Sequence, residues 1–302
     1  MSVSEKKLMD LPNKDWKVRQ AQPRKVPEGL PRVPFLGAII GSRGSGKTSA
    51  LITLVKAYDA TETWDWIVLF SPTYKNDPKY HLLDDVKAEL TVKEDFIPSE
   101  FVELKKEIDG RIEDWKRWEE YKKIYARFKK HKGPVDKFDP YELMILYEND
   151  FTPPDPEKYK KGAPQCVMIF DDLNYNKDLY SNTSRGPDDF KKFAILHRHK
   201  LCSILFLCQT YKAGVPRQLR SNLSLMILFQ NKSDQMKKEI AEELSSHVSP
   251  EDFVKLWAHA CGEQHDFLMI DYDGGRENMF RKNFDTVLSV SGMFSDDKPG
   301  TP

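Results

Sequence analysis

FLGAIIGSRGSGKT, residues 35–48, joins a short apolar run to a glycine loop. The run FLGAII (35–40) reads as a buried parallel strand that feeds a helix from about residue 46 to 57. GSRGSGKT (41–48) fits G-x-x-x-x-G-K-[ST], the loop whose backbone N–H groups cradle nucleotide phosphates. Its glycines let those groups turn inward without a Cβ clash, and the helix that follows points its positive end at the same charge. Gly41, Ser42, Arg43, Gly44, Ser45, Gly46, Lys47, Thr48 and Ser49 are therefore the expected nucleotide-binding residues. Lys47 supplies a cation to the β- and γ-phosphates, and the Thr48 hydroxyl is an expected Mg2+ ligand. A triphosphate is implied; the use of its energy is not.

Outward from the loop, strand and helix patterns alternate. Residues 64–73, 165–173, 201–210 and 223–230 are apolar runs that end in polar residues. Polar residues at the carboxyl ends of parallel strands are where an open α/β sheet puts its ligand. The expected fold class is α/β, a P-loop NTPase with a mostly parallel central sheet flanked by helices. Residues 266–274 and 279–288 suggest a hairpin-like pair at the sheet edge. A largely helical insert, residues 74–164, falls between the second and third strands. Within it, Phe101, Leu104, Ile108, Ile112, Trp115, Trp118, Tyr125 and Phe128 recur at three- and four-residue steps. They form one apolar stripe on a charged helix over 99–130, with Ser99 as N-cap. The stripe suits packing on the same domain or a projection that meets a neighbour, and residues 150–164 form a Pro-rich return loop. The expected organisation is a basic, Pro-rich arm over 1–34, an ATPase domain over 35–290, and a disordered tail over 291–302.

The totals narrow the classes. Lys+Arg and Asp+Glu are both 47 in 302 residues, so the whole chain is no electrostatic glove for nucleic acid, although uneven placement of charge or a basic ring would still suit DNA. The arm carries eight Lys/Arg against four Asp/Glu and suits either a wrapping segment or a tail that contacts DNA or a partner. No apolar run approaches the length of a membrane span, and the N-terminus lacks the apolar core of a secretory signal. Of four cysteines, Cys166, Cys202 and Cys208 lie in apolar runs and read as reduced core residues of a cytosolic protein. His259, Cys261 and His265 lack a C-x-x-C partner and read as helix surface and core, not as a zinc site.

A second motif supplies the metal carboxylate. The strand CVMIFDD ends in Asp171, placed to hold Mg2+ through water, and Asp172, placed to orient or deprotonate the attacking water. Two adjacent acids also suit a helix cap. LFLCQT ends in Gln209, which suits contact with the γ-phosphate or its water, or a plain strand-end hydrogen bond. Asn231-Lys232-Ser233-Asp234 fits N-K-x-D, a guanine-reading pattern, and so raises GTP. Against it, no glycine of a D-x-x-G switch follows Asp172, and 184 residues separate Lys47 from Asn231. P-loop machines that move polymers work as rings with an arginine reaching the neighbour's γ-phosphate. Arg198 and Arg220 are the catalytic candidates; Arg217, Arg111 and Arg117 are further possibilities.

GSRGSGKT, IFDDL, the block LHRHKLCSILFLCQT and RQLRSN together resemble the genome-packaging ATPases of large eukaryotic double-stranded-DNA viruses, of the poxvirus and giant-virus type, within the FtsK–HerA superfamily. The resemblance covers roughly residues 35–275 and leaves out the arm and much of the insert. It implies an ATP- and Mg2+-using motor that translocates viral double-stranded DNA into a preformed capsid. It also implies a homo-oligomeric ring, capsid or portal-vertex partners, no membrane, and action at the assembly site in the host cytoplasm or in the virion. The family's glycine loop falls on residues 41–48, its acidic pair on Asp171 and Asp172, and its polar sensor on Gln209. The trans arginine has no clear match. Two other readings stay open: another DNA-translocating ATPase or helicase, and a GTP-binding switch.

Overall fold

The computed structural model describes residues 24–130, 137–180, 189–231 and 233–289. The strands are β1 (Leu36–Ile40), β2 (Trp66–Phe70), β3 (Glu89–Lys93), β4 (Cys166–Asp171), β5 (Cys202–Cys208), β6 (Leu225–Phe229), β7 (Phe267–Asp271), β8 (Phe280–Lys282) and β9 (Thr286–Val287). They form one sheet in the order β3-β2-β4-β5-β1-β6-β7-β8-β9. The first six of that order run parallel, and β7, β8 and β9 add on antiparallel. The expected α/β class and the antiparallel pair at the edge are both present.

The helices are α1 (Lys47–Ala60), α2 (Pro98–Lys130), α3 (Pro140–Glu148), α4 (Lys177–Tyr180), α5 (Asp189–Ile195), α6 (Tyr211–Gly214), α7 (Arg217–Arg220), α8 (Asp234–Glu243) and α9 (Pro250–Ala260). Both faces of the sheet are covered, which explains why β1, β4, β5 and β6 read as continuous apolar runs instead of alternating ones. The two-residue period still divides the strands between two cores: Cys166, Met168 and Phe170 of β4 face one, and Val167 and Ile169 face the other with α1. Phe70, Phe170 and Phe206 stack across β2, β4 and β5 with ring centroids 4.8 and 5.2 Å apart. Burying each such ring contributes about 1.5–3 kcal/mol, so the strand end that carries Asp171 stands on a rigid base.

The insert departs from the expectation in three ways. Residues 89–93 form β3, a parallel edge strand on β2. Its short, half-exposed ELTVK lacks the apolar run that marks the other strands. Helix α2 begins at Pro98, with Phe101 N–H donating to the Ile97 carbonyl at 3.0 Å, so Ser99 lies inside the first turn and is not the cap. The apolar stripe also splits. Phe101, Leu104, Ile108 and Ile112 pack on the sheet, whereas Tyr121 and Ile124 pack with Phe138, Ile145 and Leu146 in a satellite cluster under α3. Trp115 and Trp118, between the two contacts, are only half-buried.

Arg24 anchors the described end of the arm: its guanidinium pairs with Asp65 at 2.6 Å and donates to the Ala163 carbonyl at 2.9 Å. The rest of the arm, 1–23, and the tail from residue 290 lie outside the described residues. All four cysteines are buried free thiols. No helix among the described residues is long and apolar enough to cross a membrane.

The LHRHK block turns the chain into β5 around His197, which is 4% exposed and donates from Nδ1 to the Cys202 carbonyl at 3.1 Å. Burial pulls this imidazole down to about 4 from an ordinary 6.5. The unfolded chain takes up this proton as pH falls below about 6.5, and the folded chain only near 4. The contribution is therefore complete above 6.5 and drains as pH falls toward 4. Urea titrations at pH 7 and pH 5 should show a loss of about 2 kcal/mol from this residue, absent in His197→Gln. Identical pH slopes in the two proteins would remove the assignment.

Candidate functional site

Strand register builds the site. Ile40 pairs with Cys208, and Asp171 pairs with Leu207, so the residues that follow β1, β4 and β5 emerge side by side at the carboxyl end of the sheet. Those residues are Gly41 and its loop, Asp172, and Gln209. Because β5 lies between β1 and β4, Gln209 stands between the phosphate loop and the acids. A cavity of about 750 Å³ opens over them, lined by Lys47, Thr48, Asp171, Asp172 and Gln209.

The loop is held by its own backbone. Gly41 packs so closely that a Cβ would come 2.4 Å from Ser45 Oγ and 2.8 Å from Phe229 Cβ. Gly46 caps α1 at φ +112°, a conformation open to glycine and costly to other residues. Lys47 Nζ donates to the Gly41 and Ser42 carbonyls at 2.8 and 3.1 Å. That leaves one of its three N–H bonds for a ligand. Burial pulls the ammonium below its usual range, while the charges of Asp171 and Asp172 oppose that pull. Arg43, Gly44, Gly46 and Ser49 also line the cavity; Gly41, Ser42 and Ser45 do not.

Asp171 is buried, and burial raises its carboxyl above the ordinary carboxylate range while hydrogen bonds hold it down. Its Oδ2 accepts from Tyr80 Oη at 2.5 Å, Ser71 Oγ at 3.1 Å and Thr73 Oγ1 at 3.4 Å. With Oδ2 so occupied, Oδ1 is left for a further partner. Asp172 has φ +52°, the left-handed region that few non-glycine residues other than Asn and Asp enter. There its Oδ1 accepts from Gln209 Nε2 at 3.3 Å. Neither acid caps a helix.

Thr48 and Asp171 give two hard oxygen donors beside the same cavity. That set suits Mg2+, which is bound by one or two protein oxygens and completed by phosphate and water. The residues present fit the ion.

The arginines lie elsewhere. Arg198, at the start of β5, is exposed at the opposite end of the sheet and pairs with Asp273 at 3.1 Å. Arg220 lies at the loop end, where Nε donates to the Val215 carbonyl at 3.1 Å and a second nitrogen donates to the Lys212 carbonyl. Neither lines this cavity. In N-K-x-D, Asn231 Oδ1 accepts from Ser233 N at 2.8 Å and Asp234 Oδ1 accepts from Lys237 Nζ at 3.3 Å, so both side chains are engaged locally. Lys232 lies outside the described residues.

Five contributors were not foreseen. Ser71 and Thr73 follow β2 as polar residues at its carboxyl edge, a signal the sequence did carry. Lys79, from the 3-10 turn Pro78–Leu83, lines the cavity and donates to Ser49 Oγ at 3.2 Å; Tyr80 comes from the same turn. His265, which reads as a zinc decoy, instead places Nδ1 3.0 Å from the Ser45 carbonyl and also lines the cavity.

No family model matches the chain, and no curated protein matches it. Among solved structures it is similar to the DNA-packaging ATPase B204 of Sulfolobus turreted icosahedral virus, at 15% identity and TM-score 0.43 over 83% of this chain and 97% of that one. It is also similar to the cytoplasmic domain of the Thermomonospora curvata type VII secretion ATPase EccC, at 17% identity and TM-score 0.40 over 85% of this chain and 26% of that one. A third likeness is to the pCW3 conjugation coupling protein TcpA, at 10% identity and TM-score 0.36 over 78% and 57%. With overlaps this loose, function rests on the residues of this chain.

Proposed function

We propose that this protein is a Mg2+-dependent ATPase that translocates double-stranded DNA into a preformed viral capsid, working as a homo-oligomeric ring at the assembly site in the host cytoplasm. The observation that carries the proposal is Gln209, set between the phosphate loop and the acids and hydrogen-bonded to Asp172. A side chain so placed is linked both to the γ-phosphate position and to the carboxylate that would handle water. It makes loss of the γ-phosphate a change in hydrogen bonding at the end of a buried strand. A motor needs that coupling.

Each residue then has a role. Loop N–H groups and Lys47 bind and orient the phosphates. Thr48 and Asp171 would hold Mg2+, which neutralises phosphate charge when bound. Ser71, Thr73 and Tyr80 fix the Asp171 carboxylate. Asp172 orients the attacking water and takes its proton, and Gln209 holds Asp172 in place. An arginine from a neighbouring copy, Arg198 or Arg220, completes the site in the ring. The local use of Asn231 and Asp234 favours ATP over GTP. Capsid or portal-vertex proteins are the expected docking partners.

Phosphate release measured with and without duplex DNA tests this reading, run alongside mass measurement. ATP hydrolysis should rise on adding DNA, in an oligomer. GTP turned over about tenfold faster than ATP, or a strict monomer with nucleotide and DNA present, would overturn it. Strand separation of the duplex would favour a helicase instead.

A further inference from the structure

A DNA motor needs a surface that grips DNA, and a net charge of zero conceals where it lies. Helix α2 carries its charge unevenly. Residues 99–114 hold three Lys/Arg against six Asp/Glu, whereas residues 115–130 hold seven Lys/Arg against two Glu. In the second half Lys122 pairs with Glu119 at 2.7 Å and Arg127 with Glu142 at 2.6 Å. Lys116, Lys123 and Lys129 form no ion pair among the described residues. Lys116 and Lys123, like Lys122 and Lys129, are seven residues apart, so each pair shares a helix face at a rise of about 10.5 Å.

This half of α2 faces the Pro-rich return loop across a groove of about 1120 Å³, whose lining sets five lysines, Lys116, Lys122, Lys123, Lys129 and Lys160, against three acids, Glu119, Glu120 and Asp155. Trp118 joins the walls: its ring meets Tyr159 edge-on at 5.6 Å, and the Lys122 ammonium stands 4.3 Å over it. The indole N–H groups of Trp115 and Trp118 are buried and have no hydrogen-bond partner among the described residues. Cations interleaved with aromatics along a helix suit a polyanion with a repeated charge. Arg24, the first described residue, holds Gly162 and Ala163 at this edge. Residues 1–23 hold five Lys/Arg against three Asp/Glu, so like charge makes the arm a poor occupant.

We propose that the groove between the distal half of α2 and residues 154–163 grips the phosphate backbone of duplex DNA. The proposal rests on the DNA-motor reading above and locates its grip away from the nucleotide site. The test uses the full chain and a fluorescein-labelled duplex of arbitrary sequence, with anisotropy followed across salt concentrations. Combining Lys116→Glu, Lys123→Glu and Lys129→Glu should weaken binding at least about tenfold and lower the log–log salt slope by about 3. DNA stimulation of ATP hydrolysis should vanish, while hydrolysis without DNA stays unchanged. The Gln versions of the three substitutions, with an unchanged melting midpoint, should give the same direction with a smaller loss and so exclude misfolding. If wild type binds and responds to DNA but both variants match it, the groove assignment is overturned and the motor reading stands. If wild type neither binds duplex nor responds to it, the motor reading falls and takes the groove with it. Poly-glutamate displacing the duplex at equal charge concentration would assign the groove to an acidic protein partner and overturn the proposal.

Discussion

Lys47→Ala is expected to lower ATP turnover at least about 1000-fold and to weaken ATP binding, while leaving the melting midpoint within a few degrees of wild type. The ammonium is the cation between the loop and the acidic pair. Its spare N–H is the donor that a β- or γ-phosphate would meet, since the Gly41 and Ser42 carbonyls take the other two. Removing it does more than delete a hydrogen bond. Asp171 and Asp172 then face an incoming triphosphate with less opposing charge, in a partly buried site where such repulsion is poorly screened. Stability changes little because the lost partners are carbonyls of the same loop, which keeps its glycine geometry and its packing on Phe229. Phosphate release and titration with a fluorescent ATP analogue check the two arms. Turnover within about threefold of wild type would show that Lys47 does not touch the reacting phosphates.

The legible part of this site is the part built from buried parallel strands. FLGAII, CVMIFDD and LFLCQT announce themselves because strands covered on both faces must be apolar throughout, so the polar residues at their ends stand out. Gly41 to Ser49, Asp171, Asp172 and Gln209 were legible for that reason, although the order of the strands was not. No local pattern reveals that β5 runs between β1 and β4. The contributors from the insert were hidden because their role depends on tertiary placement: Lys79 and Tyr80 belong to a 3-10 turn with no motif, held over the site by packing and by Asp171 itself. β3 was hidden because an edge strand exposed on one side needs few apolar residues. Along α2 a single periodicity fitted two partners. The helix leaves the sheet after Ile112 and meets α3 through Tyr121 and Ile124, so Trp115 and Trp118 fall in the gap between contacts. The same departure exposes the basic half of the helix.

Asp172→Asn is expected to keep ATP binding within about threefold of wild type and to slow hydrolysis by about 100- to 10,000-fold. The substitution is informative because it keeps almost everything but the basicity. Asparagine is among the few residues that accept the left-handed backbone found here, φ +52°, so the strand end keeps its path. An Asn side-chain carbonyl still accepts the Gln209 hydrogen bond now made at 3.3 Å, so Gln209 keeps its partner. Asp171 is untouched, with its three donors and its place beside Thr48, so the expected metal ligands persist. What disappears is a carboxylate able to take a proton from water. Asp172→Ala would confound this by placing a residue without a local hydrogen bond in the left-handed region, at a cost of about 1–2 kcal/mol. Single-turnover hydrolysis, measured at ATP concentrations that saturate both proteins, separates the chemical step from binding. If Asp172→Asn turns over at the wild-type rate, the base is another group, and the Gln209–Asp172 contact serves only to hold the ends of β4 and β5 together.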